Sequence, residues 1–159
     1  MTTAWIWAAN LLGWPVIHLA IGFAALRLPP HLFARDVWLT TPRRWERNGR
    51  LYRDRLAIRR WKSILPDGAP WLGGFAKKRF HSRDSTYLAL FLLETRRAEL
   101  AHWCMLCCLP VFFLWNPPWA CLLMTAYAVT ANLPCILVQR YNRITLSRVA
   151  CAQRRLSCL

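Results

Sequence analysis

Residues 1–26 and 98–139 contain no lysine or arginine, although the 159-residue chain carries 22 of them. Acids are scarce throughout. The seven present, Asp36, Glu46, Asp54, Asp67, Asp84, Glu94 and Glu99, all lie in or at the far end of the basic stretch between those two regions, and the formal charge is +15. These absences exclude a good deal. With no charge before Arg27 there is no basic n-region, so residues 1–26 read as a retained span rather than a cleaved secretory signal, despite the small Ala24-Ala25 pair. There is no Ser-His-Asp signature, zincin motif or glycine-rich phosphate loop, which leaves hydrolase and nucleotide-dependent functions without support. Cys104-x-x-Cys107 has a metal-like spacing, but no second Cys or His pair completes a tetrahedral set, so no metal is assigned.

What the cation-free regions do contain is apolar length. Trp5 to Leu26 is broken only by Asn10 and His18, and Leu100 to Val138 is interrupted most sharply at Asn116-Pro117-Pro118. A bilayer core of ~30 Å needs ~20 helical residues, so the second region reads as a hairpin of two spans. The expected fold is an all-α integral membrane protein forming one domain. It has an N-terminal span at about 5–26, a C-terminal transmembrane hairpin at about 100–115 and 119–138, a cytosolic loop over 27–98 and a cytosolic tail over 139–159. Because cations stay on the cytosolic side, the chain is expected to be a multi-pass protein of the cell membrane with its N-terminus outside and its C-terminus in the cytosol. The charge is juxtamembrane and interleaved with tryptophans, which fits membrane lipids or a phosphate-bearing substrate and not nucleic acid.

The loop has internal order. From Arg43 to Ser63, Trp45, Tyr52, Leu56, Ile58 and Trp61 recur among arginines at approximate helical spacing, predicting one or two interfacial amphipathic helices bent at Gly49. Lys77, Lys78 and Arg79 form a compact cluster that can hold a phosphate or anchor the loop to lipid head groups. A helix then begins at Asp84-Ser85, either being a suitable N-cap, and runs into the second span.

That helix carries a polar face. At ~100° per residue, Glu94 and Glu99 point about 140° apart with His102 between them, and Thr95 shares the stripe of Glu99 and His102. Ionisable groups at a membrane edge are functional candidates by default; the alternative is pairing of Glu94 with Arg97 and Glu99 with Arg96. In the third span, Asn132 and Pro134 interrupt an apolar helix, and Gln139, Arg140, Asn142 and Arg143 crowd its basic end. If the hairpin pivots at Pro117-Pro118, opposed residues have numbers summing to about 235. This sets Glu94 level with Arg140, Glu99 near Ile136 and His102 beside Asn132. His18 and Asn10 in the first span are expected to hydrogen-bond to the hairpin.

Trp61-Lys62 followed by LPDGAP at 65–70, ETRRAELAHW at 94–103 and NLPCILVQRYNR at 132–143 together resemble the glycosyl-4,4'-diaponeurosporenoate acyltransferase family of carotenoid biosynthesis. The resemblance covers roughly residues 27–148. It implies transfer of a fatty acyl group to a sugar hydroxyl of a glycosylated carotenoid acceptor, without a cofactor and with acyl-CoA or acyl-carrier protein as the acyl donor. The alternatives are a membrane transferase acting on another lipid alcohol, or a non-enzymatic anchor or assembly factor. The family supplies no catalytic set, so residue roles rest on chemistry. Alcohol attack on an acyl carbonyl calls for a base, an oxyanion donor and a site for donor phosphates. His102 is the candidate base, with Glu99 or Glu94 orienting it. Asn132, Gln139, Arg140 and Asn142 are candidates for the oxyanion or the acceptor, and Lys77, Lys78, Arg79 and Arg143 for donor phosphates.

Overall fold

The computed structural model describes residues 3–66, 68–75 and 84–157, and every regular element among them is helical. Helix α1 spans Thr3–Arg27, α2 is one turn at Ile58–Trp61, α3 spans Ser85–Cys107 and α4 spans Pro118–Ser157. Three stretches, Ala4–Arg27, Ser85–Leu114 and Pro118–Gln153, are long and apolar enough to cross a membrane. An N-terminal helix and a helical hairpin, each long and apolar enough to span, match the apolar pattern of the sequence.

Local chemistry explains the element ends. The Asp84 carboxylate accepts the Thr86 and Tyr87 amides at 2.9 and 3.1 Å, capping the first turn of α3. Beyond Cys107 the chain tightens into a 3-10 turn at Leu109–Leu114 that contains Pro110. Pro118 then opens α4 at a position where a missing N–H has no intrahelical role. Helix α4 runs unbroken through Pro134 for 40 residues, a length of ~60 Å. Residues 139–157, read from sequence as part of a tail, continue that helix.

At the turn end, α1 is tied to the hairpin. Asn10 and Asn116 exchange amide hydrogen bonds at 2.7 and 2.8 Å, and Trp115 Nε1 donates to Asn10 Oδ1 at 3.0 Å. Trp14 stacks on Phe112 with ring centroids 4.6 Å apart, and a Cβ on Gly13 would stand 3.0 Å from that same ring. The approach is open to glycine because it has no side chain. His18 departs from expectation: its Nδ1 meets the Trp14 carbonyl of its own helix at 2.8 Å.

At the basic end, residues 28–66 form a strap across α3 and α4. The amphipathic helices expected over 43–63 are replaced by short turns, with a 3-10 turn at Arg44–Gly49, a π turn at Leu51–Arg55 and then α2. Arg47, Asn48 and Gly49 take left-handed conformations, as does Ala57, and a helix cannot continue through such residues. Instead of lying flat along an interface, Tyr52 and Ile58 turn inward and form a core cluster with Val138, Tyr141 and Ile144 of α4.

Candidate active site

His102 of α3 and Asn132 of α4 face each other across the hairpin, with Nδ1 and Oδ1 2.9 Å apart. Asn132 is fully buried, and its Nδ2 donates to the Ala128 carbonyl one turn earlier at 2.9 Å. That second bond fixes the amide. A backbone carbonyl only accepts, so the NH2 must point at Ala128 and the carbonyl oxygen at His102. An amide oxygen in turn only accepts, so Nδ1 carries the hydrogen, and in the neutral form of the ring Nε2 is the acceptor nitrogen. The hairpin register read from sequence brings these two residues together as expected.

One turn towards the basic end the site becomes ionic. Glu99 is fully buried. Its Oε1 takes Arg140 Nε at 3.0 Å, and its Oε2 lies 2.5 Å from Arg143 NH1. Arg140 reaches on to Glu46 at 3.3 Å and to the Leu39 carbonyl; Arg143 reaches Asp36 at 3.2 Å and the Thr40 carbonyl. Asp36 also holds Arg96, at 2.9 Å. Three carboxylates thus meet three guanidiniums in one chain of contacts. Burying a lone charge costs several kcal/mol, and excellent geometry with extra hydrogen bonds offsets that cost. Here the strap carbonyls supply those bonds.

This geometry reassigns several side chains. Both Glu99 oxygens face arginines, and Asn132 holds Nδ1 of the imidazole. Glu94 pairs with Arg97 on its own helix, the alternative that the three-residue spacing offered. Arg97 also stacks over Phe33, 4.9 Å from its centroid. Arg140 and Arg143, candidates for the oxyanion and the donor phosphate, are instead engaged by carboxylates and strap carbonyls. Gln139 has a buried Oε1 with no hydrogen-bond partner among the described residues, and Asn142 accepts from Lys62 Nζ at 3.3 Å. Lys77, Lys78 and Arg79 lie outside the described residues.

Asp36, Glu46 and Thr40 were not singled out by sequence reasoning. Glu46 is placed by the local turn, where its Oε1 accepts the Arg43 amide at 2.9 Å. Beside it, burial together with the Glu46 carboxylate pushes the Tyr52 phenol well above its ordinary range. A signal did exist: with seven acids among 22 cations, each acid has a strong chance of anchoring arginines. Among the described residues, no group of three His, Cys, Asp or Glu side chains is placed to hold a metal ion.

A family model described as glycosyl-4,4'-diaponeurosporenoate acyltransferase matches residues 35–151. A protein of that name from Staphylococcus haemolyticus is 33% identical over 132 residues, covering 82% of this chain and 76% of its own. Another of the same name, from Staphylococcus aureus, is 29% identical over 138 residues, covering 86% and 82%. No solved structure matches the chain.

Proposed function

Because the chain belongs to the glycosyl-4,4'-diaponeurosporenoate acyltransferase family, and so to the acyltransferases of carotenoid biosynthesis, we propose that it esterifies a sugar hydroxyl of a glycosylated carotenoid with a fatty acyl group at the membrane. The observation that carries this reading is the His102–Asn132 pair. A neutral imidazole whose Nδ1–H is held by a fixed amide presents Nε2 as a base.

In this scheme His102 Nε2 takes the proton as the sugar oxygen attacks the acyl carbonyl carbon. The carbonyl electron pair moves onto oxygen, then returns as the bond to the donor sulfur breaks. The imidazolium gives its proton to the leaving thiolate, so no cofactor is consumed. The donor is an acyl thioester, from coenzyme A or acyl-carrier protein. Gln139, seven residues beyond Asn132 and so on the same face of α4, offers its buried Oε1 to an acceptor hydroxyl. Glu99, Arg140 and Arg143 position the helices and strap around this centre. The basic end is placed in the cytosol, where thioesters are made, with the N-terminus outside. Membrane lipids surround the apolar spans, where the carotenoid acceptor dissolves.

The test is production in a cell that makes the glycosylated carotenoid but lacks its ester. Mass spectrometry of extracted pigment should show the acyl ester with the wild-type protein. It should be absent with His102→Ala at equal membrane abundance. Acylation of a different lipid alcohol, with the glycoside untouched, would overturn the acceptor assignment.

A further inference from the structure

Between the strap and the basic-end halves of α3 and α4 lies a cavity of about 610 Å³, within its walls Arg50, Arg53, Arg59, Lys62 and Arg148, and among the described residues no acid lines it. Its size is that of a small-molecule site, typically ~300–1,000 Å³. Phe91, Val138 and Leu146 supply apolar wall beneath the charged rim.

The cations are poorly neutralised from within. Arg53 pairs with the exposed Asp54 at 2.7 Å, whereas among the described residues Arg50, Arg59 and Arg148 form no ion pair. Lys62 lies 5.5 Å from the Tyr141 ring centroid and donates to Asn142. Burial, with Arg59 adding to it, pushes its ammonium below the ordinary lysine range. A group under that pressure gains when an anion arrives. The fold also spends conformational freedom to build the rim. Gly49 sits at φ 86°, and a Cβ there would meet Ile144 at 3.4 Å, so the turn carrying Asn48 and Arg50 is pressed closely onto α4.

Distance gives the cavity its chemical meaning. Phe91 on its wall is eleven residues before His102 on α3, and Asn142 is ten residues beyond Asn132 on α4, so the helices rise ~15–17 Å from the cavity to the His102–Asn132 pair. A ligand with phosphates at one end and a thioester on a long flexible arm spans that gap.

We propose that this cavity binds the phosphorylated nucleotide head of a coenzyme A thioester, its pantetheine arm running along the α3–α4 groove to His102. The inference rests on the thioester-dependent acyl transfer proposed above and adds the donor class and its docking site. It replaces Arg143, which is engaged by Glu99 and Asp36, as a phosphate ligand.

The experiment measures binding of free coenzyme A to the purified full chain in nanodiscs of phosphatidylcholine, by calorimetry. Coenzyme A should bind and unphosphorylated pantetheine should not. Arg59→Gln with Arg148→Gln should weaken binding at least tenfold, since hydrogen bonds between charged groups are among the strong ones. Both side chains are exposed, so the fold does not depend on them. Arg44→Gln, an exposed cation outside the cavity, should change nothing; equal weakening by that control would mean diffuse charge attraction and overturn the site. His102→Ala should bind coenzyme A normally while losing turnover, which separates the two proposals. If the wild type acylates its acceptor from acyl-carrier protein yet does not bind coenzyme A, the cavity assignment fails and the acyltransferase scheme stands. If the double variant keeps its coenzyme A affinity and instead no longer retains phosphatidylglycerol on purification, the cavity is a lipid head-group site and the assignment also fails.

Discussion

Glu99 and Arg143 form a buried ion pair of 2.5 Å that joins α3 to α4, and Arg143 continues from it to the Thr40 carbonyl of the strap. The contact therefore fixes three segments at once. Glu99→Gln should keep the shape but leave two buried guanidiniums short of charge, and breaking such a pair typically costs ~3–5 kcal/mol. The expected outcome is a clear fall in melting temperature in detergent, with the activity per folded molecule largely retained. An unchanged melting temperature would assign Glu99 to the chemistry and not to the scaffold.

Removal of the base has the opposite signature. His102→Ala should leave melting unchanged within a few degrees and reduce kcat by ~10²–10⁴, the usual contribution of general-base catalysis. Activity near that of the wild type would take histidine out of the scheme.

Asn132 is a positioning residue, and its test needs kinetic resolution. Asn132→Leu should lower kcat while leaving KM for the acceptor unaltered, because the imidazole stays in place but loses the partner that sets its tautomer. A rise in KM alone would place Asn132 in acceptor binding.

Lys62 yields a pH prediction whose sign follows from burial. Its folded-state pKa lies below the unfolded value of about 10.5, so the unfolded chain binds more protons between those two values. Stability should rise with pH through that alkaline window. Below it, the half-buried ammonium is a standing cost, and Lys62→Met should raise the melting temperature at neutral pH while weakening coenzyme A binding. A variant that melts lower would show that the ammonium is held by more than Asn142.

Orientation is checked with a reporter fused after Leu159. It should behave as cytosolic, because the positive-inside bias of the strap and of the end of α4 is large. An external signal would reverse the placement of the strap and of the cavity beside it.

How much of this was legible in advance depended on the range of each interaction. The meeting of His102 with Asn132 followed from helical rise and a pivot at Pro117-Pro118, both local quantities. The same arithmetic set Glu99 opposite Ile136, about one turn from its observed partner Arg140. Helical side chains lean towards the N-terminus of their helix, and a long arginine on α4 therefore reaches back to the level of Glu99. Asp36 and Glu46 come from more than fifty residues away, through a strap without periodicity, and no spacing rule could pair them with α3 and α4. The arginines of the cavity read as one side of interfacial helices for a related reason. Left-handed residues at Arg47–Gly49 and at Ala57 interrupt that periodicity between them.

The strap is gripped largely by its main chain. Arg97, Arg96, Arg140 and Arg143 reach the carbonyls of Leu28, Phe33, Leu39 and Thr40, atoms that every residue type possesses. Such contacts register the path of the backbone and are indifferent to most of the side chains along it. Residues 28–42 should thus accept many replacements while tolerating few insertions or deletions, since one added residue moves each carbonyl away from its guanidinium. Length is what this segment encodes, with Asp36 the side chain in it on which the ion network depends.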